Sequence, residues 1–296
     1  MDLVHEPVMV AEVLDLLQPQ RGGLFVDCTV GAGGHASALL EAGATRLLAL
    51  DRDAQALGLA RERLASWADR IELVQADYRE LPRLLDERHL PAVDGILADL
   101  GVSSLQLDAP GRGFSFRRDE PLDMRMDQRQ GEAAADWLRA APEPELADVI
   151  HRYGEERFAR RIARAIARAR TDTPITTTGQ LASIVRRAVP RRGYQRIDPA
   201  TRTFQAIRIR VNRELDRLDQ FLEAAATRLK TGARLVVISF HSLEDRIVKH
   251  VFRSLAGQAP QAVHVLTRRP LMPAEPEIAR NPRARSAKLR AVERFA

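Results

Sequence analysis

The first hundred residues alternate between short apolar segments and segments with helical periodicity, and no other feature of the chain constrains its fold as strongly. The apolar segments cover residues 24–27, 46–51, 70–76 and 93–100, and helical periodicity covers 35–42 and 54–65. Strands and helices alternating at this spacing predict a parallel sheet covered by helices. Right-handed crossovers then bring the carboxyl ends of the strands to one edge, where such sheets bind ligands.

The pattern changes near Ala109. Residues 109–127 are rich in Gly, Pro, Asp and Arg, which predicts an ordered loop or linker. Helical periodicity without a strand-like interruption follows at 132–140, 144–153, 155–170 and 178–188. We therefore predict an inserted helical domain over residues 109–201.

The remainder of the chain returns to the sheet. Residues 202–230 carry apolar side chains near the 3.6-residue period, which predicts one long helix ended by Gly232. The apolar run 234–239 predicts a buried strand. Two further strands are expected at 262–267 and 287–292. Residues 1–108 and 202–296 together form the predicted α/β domain.

The composition is that of a globular protein, with 45% hydrophobic and 29% charged residues among 296. No apolar run approaches the roughly 18 residues of a membrane span, and residues 1–6 lack the features of a secretory signal. The single cysteine, Cys28, excludes an internal disulfide framework and a Cys-rich zinc site. We therefore expect a cytoplasmic protein that contacts no membrane.

Basic residues outnumber acidic ones by 46 to 40, and only Lys230, Lys249 and Lys288 among them are lysine. The planar guanidinium of arginine binds phosphate with two hydrogen bonds, which favours a polyanionic partner. A GC-rich genome also produces an arginine bias, so both interpretations stay open.

A glycine-rich turn with Gly31 and Gly33 follows the first strand, and such a turn lets a ligand approach the backbone closely. Asp51, 20 residues after Gly31, can accept both hydroxyls of a ribose, as in sites for NAD or S-adenosylmethionine. Asp27 can face an ammonium group, and Asp77 with Tyr78 can meet an adenine.

Together with Asp99, these acids occupy the ends of four strands. Four carboxylates suit the zwitterionic, sulfonium-bearing S-adenosylmethionine better than the dianionic pyrophosphate of NAD. Acids that merely cap helices are the alternative interpretation.

The fourth strand ends in a small polar segment, Asp99-Leu-Gly-Val-Ser-Ser104, followed by Gln106-Leu-Asp108. With the other segments named here, it resembles the bacterial 16S ribosomal RNA (cytosine-N4)-methyltransferase family of the RsmH or MraW type. The further matching segments are His5–Val8, Val26–Thr29, Gly33–His35, Arg112–Phe116, Pro121–Asp127, Tyr153–Glu156, Pro199–Ile207, Phe240–Lys249 and Asn281–Ser286. The resemblance therefore covers almost the whole chain.

The resemblance implies a Rossmann-like class I S-adenosylmethionine-dependent methyltransferase domain with an all-helical insertion that recognises RNA. The implied activity is methylation of the N4 amine of one cytidine in 16S rRNA of the small ribosomal subunit, with S-adenosylhomocysteine as product. The matched cofactor positions are Gly33, Gly34, His35, Asp51, Tyr78, Asp99 and Gln106. Asp27 and Asp77 are added from the general geometry of class I enzymes.

The chain departs from related patterns at three single residues and one tetrapeptide. Thr29 stands where a general class I turn has glycine, and Ala36 where the family often has serine. Asp99-Leu-Gly-Val replaces the Asn-Pro-Pro-Tyr-like tetrapeptide of many amino-methyltransferases. Asp198 stands where a histidine commonly precedes Pro-Ala-Thr-Arg, and we assign it no role.

Asp99 is the predicted catalytic residue. The cytosine amine is a poor nucleophile because its lone pair is delocalised into the ring, so alignment and a hydrogen-bond acceptor are needed. We assign the acceptor role to Asp99, with the Leu100 carbonyl as a second acceptor and water taking the proton. No metal is expected, since the seven histidines show no ligand spacing.

Three further segments each have two interpretations. Ser242 and Asp245 predict a helix N-cap box rather than a hydrolase nucleophile, and His241 is a candidate lining residue. Phe114 and Phe116 either stack on a flipped base or anchor their loop. The arginines of 155–170 either contact RNA phosphates or form a solvated helix face, and Arg191, Arg192, Arg196 and those of 280–290 are candidates to join them.

Two other function classes stay open at this point. One is an RNA- or ribosome-binding protein without activity, against which the retained Asp51, Asp99 and glycine-rich turn argue. The other is an NAD-dependent oxidoreductase, which a cofactor titration separates from a methyltransferase. A homodimer is neither required nor excluded by the sequence.

Overall fold

The computed structural model describes residues 7–190, 197–257 and 262–295. The helices are α1 (Val10–Leu17), α2 (Gly34–Glu41), α3 (Ala54–Arg63), α4 (Leu81–Glu87), α5 (Ser104–Asp108), α6 (Ala134–Ala140), α7 (Glu143–Gly154), α8 (Ala159–Asp172), α9 (Thr178–Ala188), α10 (Ala200–Asn212), α11 (Leu218–Thr227), α12 (Ser242–Ala256) and α13 (Glu275–Arg280). The strands are β1 (Leu24–Asp27), β2 (Arg46–Asp51), β3 (Ile71–Gln75), β4 (Val93–Asp99), β5 (Leu229–Ser239), β6 (Val263–Val265) and β7 (Lys288–Arg294).

The chain forms two compact units. The first, the sheet unit, comprises Met1–Gly101 and Leu215–Ala296; the second, the helical unit, comprises Val102–Glu214. The helical unit therefore begins before and ends after the predicted insertion of 109–201. No helix in the described ranges is long and apolar enough to cross a membrane.

The sheet has seven strands in the order β3-β2-β1-β4-β5-β7-β6. The first five strands are parallel, whereas β7 runs antiparallel to both β5 and β6. This is the Rossmann-like class I methyltransferase architecture that the resemblance implies, and that prediction is confirmed. The strand order reverses between β1 and β4, so the ends of these two strands flank the crevice where an open α/β sheet binds ligands.

Both faces of the sheet are buried, as expected for parallel strands between helices. On one face Val26, Ile96 and Val237 pack with α4, α11 and α12, and on the other Phe25 and Leu97 pack with α1 and α2. Alternate residues of each strand thus enter opposite cores, which fixes the register and brings the polar strand ends to one edge.

The helical unit has its own core, in which α7 packs against α8 and α10. Phe114 is buried in this core, and the ring of Phe116 lies edge-on to Phe204 with a centroid distance of 4.7 Å. Both rings are therefore anchors of their loop, which is the structural one of the two interpretations. Ile162 and Ile166 form the buried stripe of α8.

The prediction of one long helix over residues 202–230 is wrong. The chain forms α10 and α11 instead, and residues from Leu229 onward already belong to β5. Arg213 and Arg217 adopt left-handed backbone conformations, with φ of 52° and 56°, and these interrupt the helix. The expected helix end at Gly232 is also wrong, because Gly232 lies within β5.

Candidate functional site

The glycine-rich turn links β1 to α2 in a conformation that requires its glycines. Gly31 and Gly33 have φ of 53° and 84°, and a Cβ on Gly33 would lie 2.9 Å from the Leu64 side chain. A Cβ on Gly34 would lie 3.0 Å from Pro7. The turn is therefore packed against its surroundings while its backbone stays at the sheet edge.

Asp51 ties this turn to the end of β2. Its Oδ2 accepts a hydrogen bond from the Gly31 N–H at 2.9 Å, and its Oδ1 accepts one from the Asp53 N–H at 2.9 Å. Burial raises the pKa of Asp51, and the two hydrogen bonds act in the opposite direction. Each oxygen keeps a lone pair with which it can accept a hydroxyl.

Asp27 ends β1, and only one of its two carboxylate oxygens accepts a hydrogen bond from the described residues. The side chain is 1% exposed; Oδ1 accepts from the Thr29 N–H at 3.1 Å, and Oδ2 has no hydrogen-bond partner in the described structure. Burial, reinforced by the charge of Asp51, raises the pKa of Asp27 to about 7.

Asp99 ends β4 in a similar state. Its N–H donates to Thr29 Oγ1 at 2.7 Å, its Oδ1 is buried without a hydrogen-bond partner among the described residues, and its Oδ2 lies 3.7 Å from His35 Nδ1. Burial, followed by the charges of Asp27 and Glu244, raises the pKa of Asp99 well above its usual value.

The backbone fixes the orientation of the His35 ring. Its Nε2 lies 2.9 Å from the Val8 carbonyl oxygen, which can only accept, so Nε2 carries a proton. The other ring nitrogen, Nδ1, therefore faces Asp99.

Asp77 differs from the other strand-end acids because arginines neutralise it. It accepts from Arg79 Nε and Nη2, both at 2.7 Å, and caps the 3₁₀ turn Tyr78–Glu80. Burial alone would raise the pKa of Asp77, but Arg79 and the charge of Arg52 lower it. The capping interpretation thus describes Asp77. The neighbouring Tyr78 is buried against Phe221, with ring centroids 4.6 Å apart.

Eight of the nine predicted cofactor residues lie in the sheet unit, and Gln106 is the exception. In the helical unit, Gln106 Oε1 accepts from the Ser103 N–H at 3.1 Å, and Ser103 Oγ accepts from the Gln106 N–H at 3.2 Å. The two residues form a capping box at the start of α5.

Thr29 is the site residue that the sequence did not single out for a role. Its N–H donates to Asp27 and its hydroxyl accepts from the Asp99 N–H, so it links the ends of β1 and β4. The available signal was its place between Asp27 and Gly31, where glycine is the general pattern.

The cap of α12 corrects one expectation. His241, not Ser242, is the N-cap, because its Nδ1 accepts from the Glu244 N–H at 3.3 Å. The Phe240 N–H donates to the Glu244 carboxylate at 3.0 Å. The predicted cap at Ser242 with Asp245 is therefore shifted by one residue.

Two neighbouring strand ends thus each hold a buried carboxylate oxygen, Asp27 Oδ2 and Asp99 Oδ1, that accepts no hydrogen bond from any described residue. An unpaired buried charge is costly, so this arrangement favours a ligand that brings positive charge and hydrogen-bond donors. A pyrophosphate would add like charge at the same place. The chemistry of the donors fits S-adenosylmethionine and disfavours NAD.

Comparison with known proteins agrees with this geometry. The family model of the MraW methylase family matches residues 2–295. "Ribosomal RNA small subunit methyltransferase H" of Cyanothece sp. is 52% identical over 99% of this chain and 96% of its own. The protein of the same name from Geobacter sulfurreducens is 50% identical over 100% of both chains.

A solved rRNA methylase structure from Streptococcus thermophilus covers 100% of both chains with a TM-score of 0.44 and 13% identity, a likeness too low to carry an inference. The family match and the two curated relatives span essentially the whole sequence. The chain therefore belongs to the MraW methylase family.

Proposed function

We propose that the protein transfers a methyl group from S-adenosylmethionine to the N4 amine of one cytidine in 16S rRNA of the small ribosomal subunit. The cofactor assignment rests on Asp27 and Asp99, which each keep a buried oxygen without a hydrogen-bond partner among the described residues at the point where the strand order reverses. The RNA target is supported by the names of the curated relatives, which are small-subunit rRNA methyltransferases. The N4 position is supported by the motif resemblance.

The cofactor is held by the edge of the sheet unit. Asp51 accepts the ribose hydroxyls, and Gly33 and Gly34 allow close approach of the turn. Asp27 faces the ammonium group, whose charge compensates its buried carboxylate. Tyr78 contributes an aromatic surface for the adenine, and Asp77 can accept from the adenine amine with the lone pairs that Arg79 leaves. His35 completes the proposed set in the sheet unit, and Gln106 stays a prediction from the motif resemblance.

Asp99 is the proposed catalytic residue. S-adenosylmethionine, when bound, would supply an electrophilic methyl group, whose bond to the sulfonium sulfur breaks as a nucleophile bonds to the methyl carbon and leaves the neutral thioether of S-adenosylhomocysteine. Asp99 accepts a hydrogen bond from the cytosine amine, aligns the amine and stabilises the positive charge that develops on its nitrogen. Positive charge bound nearby favours the ionised form of Asp99, which is the form that accepts.

Thr29 and His35 position this carboxylate. The Thr29 hydroxyl fixes the backbone of Asp99, and His35 Nδ1 faces Oδ2. The Leu100 N–H donates to the Ile238 carbonyl at 2.9 Å, so the sheet fixes the peptide between Asp99 and Leu100. The Leu100 carbonyl, which is the second proposed acceptor, directly follows this fixed peptide. The proton leaves to water.

The helical unit is the proposed RNA-recognition element. On α8, Arg160, Arg161 and Arg168 are exposed and have no acidic partner among the described residues. In contrast, Arg170 donates to the Leu138 and Ala141 carbonyls and is structural. The first three are therefore the phosphate-contacting candidates. Arg191, Arg192 and Arg196 lie outside the described residues.

The test is methyl transfer from labelled S-adenosylmethionine to unmethylated small subunits and to naked 16S rRNA, followed by mass spectrometry of the digested nucleosides. The proposal expects N4-methylcytidine at a single site. Label on another base or on protein would refute the proposed acceptor while leaving the cofactor in place. Tight binding of NAD instead of S-adenosylmethionine would refute the cofactor.

A further inference from the structure

A cavity of about 300 Å³ lies in the sheet unit between α12 and the strands β6 and β7. Four cations line it, namely Lys249, Arg253, Arg268 and Arg290, and no acidic residue of the described ranges does. Its volume is at the lower end of the range for sites that hold small molecules or parts of larger ones.

Three of these cations are unpaired. Lys249, Arg253 and Arg268 have no ion-pair or hydrogen-bond partner in the described part of the chain, and the last two are exposed. Lys249 and Arg253 are four residues apart on one face of α12, where like charges repel. An anion in the cavity would relieve this repulsion.

The fourth cation, Arg290, is built into the wall. It is 6% exposed, and its Nε donates to Asp245 Oδ1 at 2.6 Å. Its two Nη groups have no partner among the described residues. Asp245 thus fixes the guanidinium while leaving donors for a ligand, a geometry suited to phosphate oxygens.

The remaining lining is largely apolar and consists of Phe252, Val265 and Thr267. A free inorganic anion would make no favourable contact with such an apolar surface. A nucleotide carries a flat base and a ribose beside its phosphate, and the base can pack against the apolar lining. Cations that hold phosphates beside an apolar surface for a base are the usual combination in sites for single-stranded nucleic acid.

One residue of the cavity wall, Arg290, lies near the end of the sheet where methyl transfer is proposed. Arg290 on β7 is in register with Val237 on β5, which is in register with Ala98 on β4, the residue before Asp99. Two strand spacings separate Arg290 from Ala98, which is about 10 Å. A nucleotide close to the target cytidine in the same RNA chain can span this distance.

We propose that this cavity is a second RNA subsite, which holds one nucleotide flanking the target cytidine with its phosphate on Lys249, Arg253, Arg268 and Arg290. The proposal rests on the proposed function, because the occupant is part of the same substrate. It adds a sheet-unit contact to the RNA contacts expected from α8.

The test compares R253Q/R268Q with wild type on unmethylated small subunits. We expect KM to rise about tenfold with kcat and S-adenosylmethionine affinity unchanged, since the variant removes only charges that meet phosphates. The slope of log binding constant against log salt concentration should decrease in magnitude by about two, since each of the two arginines no longer neutralises a phosphate. The matched control is R61Q/R63Q, which removes two exposed arginines at the end of α3 that have no ion-pair partner among the described residues.

Equal KM values and salt slopes for R253Q/R268Q and R61Q/R63Q would overturn the subsite. A filter-binding titration with the same subunits reports on the subsite even if wild type transfers no methyl group, so the two proposals fail separately. If wild type is active and R253Q/R268Q binds small subunits as tightly as wild type does, the subsite is rejected and the proposed function is kept. Binding of inorganic phosphate with no change in RNA affinity would show an anion site unrelated to RNA and would likewise reject the subsite.

Discussion

Two buried regions of the same sheet treat aspartate in opposite ways. On α12, Asp245 accepts from Arg290 Nε at 2.6 Å and from Lys288 Nζ at 3.3 Å. At the ends of β1 and β4, Asp27 and Asp99 each keep a buried oxygen without a partner in the described chain.

The pKa values follow this difference. Burial alone would raise the pKa of Asp245, but its bonds with Arg290 and Lys288 lower it. Burial raises the pKa of Asp27 to about 7. The protein thus neutralises one buried acid internally and leaves an unpaired oxygen on Asp27 and on Asp99, where the proposed cationic ligand would compensate the stability that burial costs.

The largest effect is expected from Asp99→Asn. The amide keeps the shape but accepts a developing positive charge poorly, so methyl transfer should slow by about 10²- to 10³-fold, the usual cost of one transition-state contact. Single-turnover rates with labelled S-adenosylmethionine measure it, and Asp69→Asn, at an exposed position, is the control. Full turnover with unchanged cofactor affinity would remove Asp99 from the mechanism.

Asp245→Asn should destabilise the fold and leave the cofactor site intact. The change leaves the buried Arg290 charge without its carboxylate, which costs about 3 kcal/mol of unfolding free energy. Urea unfolding measures the loss. Asp148→Asn breaks the exposed pair with Arg152, where both side chains are more than half exposed, and should cost under about 1 kcal/mol. Equal losses of unfolding free energy in Asp245→Asn and Asp148→Asn would show that the Asp245–Arg290 pair does not stabilise the fold more than an exposed pair does.

A smaller effect, on the KM for small subunits, is expected from the exposed and unpaired arginines of α8. R160Q/R161Q on α8 should raise the KM for small subunits about fivefold and make binding less dependent on salt. Arg139 and Arg152 are exposed in the same unit but are paired with Asp136 and Asp148. R139Q/R152Q, with the same loss of charge, should change KM little. The same KM for both variants would indicate a solvated helix face.

The sequence predicted the sheet well because its strands are short apolar runs with clear boundaries. β1 and β2 match the predicted limits, and so does α9. The break between α10 and α11 was not predictable, since Val211, Leu215 and Leu218 continue the helical period and neither Gly nor Pro marks Arg213–Arg217.

The sequence allowed the site to be predicted as a set of strand-end acids, but it did not show which of these acids are paired with arginines. Sequence position placed Asp27, Asp51, Asp77 and Asp99 at strand ends, yet only the folded structure shows that Arg79 neutralises one of them. The link through Thr29 joins residues 70 positions apart, which no local pattern reports.

We infer that Asp27 keeps one buried oxygen unpaired for the ligand, at the expense of the stability of the fold. Because its pKa is raised in the folded state, the unliganded protein loses stability as pH rises from about 4 to about 7. Asp27→Asn should therefore raise the Tm of the unliganded protein at pH 8 by about 5 °C, and the gain should vanish near pH 4.

The decisive measurement pairs that Tm with a calorimetric titration at pH 8. We expect Asp27→Asn to weaken the binding of S-adenosylmethionine and of S-adenosylhomocysteine equally, by about tenfold, since both carry the ammonium group and the variant cannot form the charge-assisted hydrogen bond to it. A lower Tm together with unchanged affinity for both ligands would contradict this inference.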